Sequence, residues 1–126
     1  APHDLAKFGL VVLNKGMYRK KRIVSQKHIL EILDGVVETH WTWTDLILGH
    51  APLKERYAYQ WHRTVFEVED TQIPVSHSWG NGGQFIFVVP SQDKVVVFTG
   101  SNYNNISKQK QVFEIMFKYL LRDAGK

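Results

Sequence analysis

The strongest constraint on the fold is a series of three β-type segments in the second half of the chain. Pro74–Trp79 and Lys94–Thr99 are short candidate strands, and between them Gln84–Val89 is an unbroken run of β-branched and aromatic residues. Gly80–Gly83 and Pro90–Asp93 separate the segments with residues that favour turns. Because short turns join antiparallel strands, this pattern predicts a three-stranded antiparallel meander.

Amphipathic helices are predicted before and after the meander. Residues 4–14 and 106–123 carry apolar residues at helical spacing, and Ser25 is placed to cap a further helix that ends before Gly35. The predicted fold is therefore α+β, an antiparallel sheet packed with N-terminal and C-terminal helices. The apolar positions expected in these helices are Leu5, Phe8, Val12 and Leu13, then Ile29, Leu30, Ile32 and Leu33, then Val112, Phe113, Met116, Phe117, Leu120 and Leu121.

The segments between the first helices and the meander give weaker signals. Residues 17–24 are interpreted as a basic turn, and residues 36–56, which a glycine and a proline interrupt, as a structured loop region. Tyr57–Trp61 and Thr64–Val68 alternate between two sides and predict short strands. Since the sequence shows no repeat and no linker, residues 1–126 are expected to form a single unit.

Composition and charge exclude several classes of function. The 126 residues include no cysteine, which excludes disulfides and cysteine zinc sites. The spacing of His40, His50 and His62 is not that of metal ligands, so no metal or cofactor is expected. The 16 basic and 12 acidic residues give a net charge of +4. The basic residues cluster only at Arg19–Arg22, so nucleic acid is not an expected partner. No apolar run reaches the roughly 18 residues of a membrane span. Ala1–Asp4 lacks the basic start of a signal peptide.

Five segments, taken in order, resemble consecutive blocks of one protein family. These segments are Asp4–Gly9 with Leu13–Gly16, Lys21–Ser25, Tyr57–Trp61, Gly80–Pro90 and Lys94–Gly100. Together they resemble the later part of the serine β-lactamase-related family, which includes class C β-lactamases, penicillin-binding proteins and related esterases, amidases and peptidases. The resemblance covers nearly the whole chain and implies the C-terminal portion of a β-lactamase/transpeptidase-like domain.

The resemblance implies hydrolysis of an ester, amide or peptide through an acyl-enzyme, but the nucleophile is missing from the expected place. In the family, the nucleophile is the serine of an S-x-x-K motif. That motif and a following Y-x-N-like motif normally precede the helix that here begins at Asp4. The resemblance therefore implies that the nucleophile lies outside this chain and that the isolated chain is inactive. Ser91 and Ser107 also precede a lysine by three residues, but a turn and a helix N-cap are the simpler interpretations.

The segment that matches the family's third motif, a K-T-G-like stretch on the strand that lines the active site, is Ser78–Asn81. By resemblance, Ser78 and Trp79 contact the substrate, and Trp79 forms an apolar wall that suits an ester or amide. Gly80 has no Cβ and lets the substrate approach the edge of the strand. The backbone N–H of Asn81 is then the oxyanion donor.

Other interpretations of these residues stay open. Gly80–Gly83 is a strong β-turn signal without any catalysis. Tyr57 and Tyr59 resemble a cleft-lining block of the family, but ordinary strand packing also accounts for them. His77 is either a catalytic base or a packed strand residue.

The resemblance also bears on partners and location. In the family sheet, the strand that matches Lys94–Thr99 pairs with a strand from the N-terminal segment. An N-terminal partner segment or a homo-oligomer is therefore expected to cover this edge. The alternative function is a non-catalytic truncated homologue that acts as a protein-interaction module, and RNA binding rests on Arg19–Arg22 alone. The resemblance favours a periplasmic or secreted protein and leaves the cytoplasm open.

Overall fold

The computed structural model describes residues 2–38, 54–80, 84–100 and 106–121, and the fold is α+β, as the sequence predicts. The N-terminal elements are helix α1 (Pro2–Leu13), strands β1 (Met17–Tyr18) and β2 (Lys21–Arg22), and helix α2 (Gln26–Asp34). The strands that follow are β3 (Val37–Glu38), β4 (Lys54–Ala58), β5 (Trp61–Val68), β6 (Thr71–Gly80), β7 (Gln84–Val89) and β8 (Lys94–Phe98). A 3₁₀ turn (Pro90–Gln92) precedes β8, and helix α3 (Ile106–Ile115) continues into a π-helical turn (Met116–Leu120).

In the described residues the main sheet has six antiparallel strands, β3 to β8, whose order in the sheet is their order along the chain. The predicted meander is therefore correct for β6 to β8, but the sheet has three more strands than the meander predicts. The predicted strand Tyr57–Trp61 is wrong, because β4 ends at Ala58 and β5 begins at Trp61. The basic turn at 17–24 is a hairpin, β1–β2. The predicted loop at 36–56 contains β3 and the start of β4, and its residues 39–53 lie outside the described ranges.

Tight turns without glycine join three pairs of strands. The turns are Arg19–Lys20, Tyr59–Gln60 and Glu69–Asp70, and all six residues have positive φ, between 48° and 67°. This is the type I′ geometry whose twist matches a hairpin. Residues with a Cβ are disfavoured in this region, so glycine is the usual signal of such a turn. None of the six residues is a glycine, and the sequence therefore does not predict these turns.

Strand β7 is buried on both faces of the sheet and separates two apolar clusters. Phe85, Phe87 and Val89 pack with Phe113 of α3 on one face, here called the α3 face. Ile86 and Val88 pack on the opposite face, here called the α1/α2 face. An uninterrupted apolar strand is what burial on both sides requires. The α1/α2 cluster also includes Val12 of α1, Ile29 and Ile32 of α2, and Trp61 of β5.

Helix α1 packs closely on the sheet, and helix α2 begins at the predicted cap. A Cβ at Gly9 of α1 would lie 2.5 Å from Val95 Cγ1 on β8, so glycine at this position permits the close approach. The Ser25 hydroxyl accepts a hydrogen bond from the His28 N–H at 3.2 Å, which confirms the predicted cap of α2. Not every predicted core position is buried, because Phe8 is 54% exposed although its ring stacks on Trp61.

The C-terminal helix is shorter and less regular than its pattern predicts. The apolar spacing predicts one helix over 106–123, but α3 ends at Ile115 and the next residues form the π-helical turn, closed by a bond from the Leu121 N–H to the Met116 carbonyl. Phe113, Met116 and Leu121 are buried as predicted, while Ile115 is exposed.

We expect Gln60→Gly to stabilise the fold and Gln72→Gly to destabilise it. Both glutamines are exposed, but Gln60 has a φ of 67°, where glycine removes the left-handed penalty, whereas Gln72 lies within extended β6. The expected changes in the free energy of unfolding are about 0.5–1 kcal/mol in opposite directions. Urea unfolding measures both, and changes of the same sign would contradict the assigned turn.

Candidate functional site

The end of β6 extends beyond the part of the strand that pairs with β5. In register, β5 and β6 pair from Val68↔Thr71 up to His62↔His77. Beyond His77, residues Ser78–Gly80 pair in register only with β7 among the described residues. This end of β6 belongs to the segment that sequence analysis matched to the third motif. Its next residue, Asn81, lies outside the described residues.

Ser78 lies on the α1/α2 face, next to the β4–β5 turn. Its hydroxyl donates a hydrogen bond to the Gln60 carbonyl at 3.3 Å. The neighbouring turn residue, Tyr59, is half exposed and its hydroxyl donates to Glu31 Oε2 of α2 at 3.2 Å. The structure therefore brings Ser78 and the turn that carries Tyr59 together.

The Tyr59 hydroxyl belongs to a surface cluster on α2. The His28 ring lies 4.4 Å from the Tyr59 ring, centroid to centroid. The hydrogen bond to the Glu31 carboxylate, together with its negative charge, raises the pKa of Tyr59 above its usual value, so the phenol stays protonated at neutral pH. This cluster offers a hydrogen-bonding surface and not an activated nucleophile.

Trp79 and Tyr57 lie on the α3 face, across the sheet from Ser78. Trp79 is half-buried and packs against the α3-face cluster, and its partner in register is Phe85. Tyr57 is half-buried and its ring meets His62 edge-on at 5.1 Å. Trp79 and Tyr57 therefore lie on the opposite face from Ser78, and Ser78 contacts the turn that carries Tyr59 through the Gln60 carbonyl.

A row of rings on the α3 face was not anticipated from the sequence. Tyr57, His62, His77 and Phe87 are successive register partners on β4, β5, β6 and β7. The His62 and His77 rings are stacked at 5.3 Å. His77 is fully buried, and its Nε2 lies 3.0 Å from the hydroxyl oxygen of Thr64. Of the two interpretations of His77, this environment matches a packed strand residue.

The register explains why sequence reasoning missed this row. Two-residue turns at Tyr59–Gln60 and Glu69–Asp70 place His62 opposite Tyr57 and His77 opposite His62. Counting residues from both turns pairs Tyr57 with His62 and His62 with His77. Neither dipeptide carries the asparagine or glycine by which such turns are usually recognised.

The two Ser-x-x-Lys matches lie in different settings. Ser91 is exposed in the 3₁₀ turn, and the Lys94 ammonium group donates to the Leu120 carbonyl. Ser107 is the second residue of α3 and so lies inside the helix rather than before it. The geometry around Ser91 is not that of a serine and lysine on adjacent helical turns.

The remaining predictions concern charge, metals and membranes. Arg19–Arg22 form the exposed turn and second strand of the β1–β2 hairpin, and Arg22 donates to the carbonyls of Lys15 and Val24. Within the described ranges, no three histidine or acidic residues group as metal ligands. No helix in that part of the chain has the length and apolar character to cross a membrane.

Comparison with known proteins gives no assignment. The sequence matches no protein-family model and no curated protein.

We expect Thr64→Val to destabilise the protein by about 1–3 kcal/mol, because it removes a hydrogen bond from a fully buried imidazole. Thr71→Val is the matched control, since Thr71 is exposed at the start of β6. Urea unfolding compares the two variants. Equal stability would mean that the Thr64–His77 contact contributes nothing.

Proposed function

We propose that this chain is the C-terminal segment of a serine hydrolase related to β-lactamases and penicillin-binding proteins. The reaction is hydrolysis of an ester, amide or peptide through an acyl-enzyme. In this proposal the chain supplies a wall of the cleft and an oxyanion donor, while the nucleophile lies outside it. The observation that carries the proposal is that β6 extends beyond its register with β5 and ends at a glycine in the segment that resembles the third motif.

The chemistry follows from that end of the strand. A carbonyl substrate aligned along Ser78–Gly80 would lie beyond the last residues of β6 that are in register with β5. Gly80 leaves room for close approach, and the N–H of Asn81 would donate to the oxygen that becomes negative in the tetrahedral intermediate. A donor of this kind contributes about 3 kcal/mol to transition-state stabilisation. The hydroxyl of Ser78 would orient the substrate.

The arrangement of elements also supports the proposal. Strands β6, β7 and β8 follow the matched blocks in order, and helices cover both faces of the sheet. Strand ends and the turns that connect strands are the parts of a covered sheet that a substrate can reach. Ser91 lies in the 3₁₀ turn after β7, at the opposite end of that strand from the partner of Gly80. The resemblance assigns the nucleophile to another segment.

We expect the product of the complete reading frame to hydrolyse p-nitrophenyl esters, and Gly80→Val to lower kcat by about 100-fold by displacing the substrate from the edge. A fluorophosphonate probe, located by mass spectrometry, is expected to label a serine outside residues 1–126. Ser107→Ala is the control and should leave turnover unchanged. Hydrolysis of nitrocefin or of an ester by the isolated chain, or labelling of Ser91 or Ser107, would overturn the division of the site.

A second candidate function is a non-catalytic interaction module. Strand β8 is the terminal strand of the sheet and pairs only with β7 among the described residues. Apart from Lys94, its residues are apolar and half-buried. An apolar strand at an open edge offers unpaired backbone groups to another strand.

If the interaction module is correct, the purified chain should self-associate through β8 at micromolar concentration. Sedimentation velocity over a roughly 100-fold dilution series would reveal whether the edge strands associate. Hydrogen exchange should then show protected amides at Val95–Phe98. A monomer at every concentration, with rapid exchange at this edge, would eliminate this candidate.

A further inference from the structure

A cleft of about 300 Å³ lies on the α1/α2 face, between α2 and the middle of the sheet. Its walls are mainly apolar, formed by Leu30 and Leu33 of α2 with Pro74 and Pro90. This volume is at the lower end of small-molecule sites, which are typically apolar with a few polar groups that fix orientation. None of the residues assigned to the oxyanion site lines it.

Arg63 is the positively charged residue that lines this cleft, and Asp34, Ser76 and Ser91 are its other polar residues. Arg63 is half-buried on β5, and within the described residues its side chain donates no hydrogen bond and forms no ion pair. Its register partner on β6 is Ser76, which is 2% exposed and lines the same cleft. A guanidinium beside a hydroxyl matches the two oxygens of a carboxylate.

A second arginine increases the positive potential at this point. Arg56 is the register partner of Arg63 on β4, so two like charges are opposite each other on one face. Arg56 donates to the carbonyls of Gly35 and Val36, which holds it beside the end of α2.

The charge at the rim limits the class of anion. Asp34, the last residue of α2, lines the cleft and is exposed, and it forms no ion pair with Arg63 in the described part of the chain. Its carboxylate repels a dianion more strongly than a monoanion. The apolar walls favour a ligand that also carries a hydrocarbon body.

We propose that this cleft binds a monocarboxylate with an apolar body, its carboxylate on Arg63 and Ser76 and its body against Leu30, Leu33 and Pro74. The proposal does not depend on the hydrolase function, because it uses other residues and can hold for either candidate function. A phosphate monoester is disfavoured by Asp34, and a neutral amide lacks the charge that Arg63 recognises.

Titration of the chain with sodium octanoate, octanamide and octyl phosphate tests the proposal by calorimetry and by NMR of the arginine Nε–H signals. Octanoate is expected to bind with a Kd of about 1 mM and to shift the Arg63 signal. The amide and the phosphate are expected to bind at least about tenfold more weakly. Equal binding of octanoate and octanamide would overturn the role of Arg63.

Arg63→Gln is expected to weaken octanoate binding by about tenfold or more, and Arg63→Lys by less, because lysine retains the charge without the planar fork. Arg19→Gln is the matched control, since it removes one positive charge from the β1–β2 turn, which does not line the cleft, and should leave binding unchanged. Unchanged affinity in Arg63→Gln would refute the site. The ligand comparison on the unaltered chain decides the matter even if that variant fails to fold.

Discussion

Burial of β7 on both faces is the constraint on which the other elements depend. Its side chains alternate between the cluster under α3 and the cluster under α1 and α2, so one six-residue strand holds both helical layers. Each buried aromatic or branched side chain contributes about 1.5–3 kcal/mol. A polar residue at Phe87 or Val88 would therefore weaken the contact of the sheet with one helical layer. The same strand supplies the partners of Ser78–Gly80 and so fixes the position of the end of β6.

The elements predicted correctly are those whose signals are local. The β7 run, the turn at Pro90–Asp93 and the Ser25 cap all depend on a few adjacent residues, and each is present. The sheet was predicted too small because its extra hairpins turn on Tyr59–Gln60 and Glu69–Asp70. Those residues adopt positive φ only because pairing along β4, β5 and β6 outweighs their local preference.

The candidate site shows the same division between local and long-range information. The match at Ser78–Asn81 identified a strand end, and β6 does end at Gly80. Which face each residue occupies depends on register, and this separates Ser78 from Trp79 and Tyr57. The cleft at Arg63 had no sequence signal at all, because its walls come from α2, two strands and a turn that are far apart in the chain.

The order of the strands has a consequence for how the protein reaches its fold. From β4 to β8 each strand pairs with the next one in the chain, across connections of two to four residues. Sheets built from such local pairings lose little entropy at each closure and fold faster than sheets with distant partners. This part of the chain can add one strand at a time as it leaves the ribosome, with α3 arriving last to cover the finished surface.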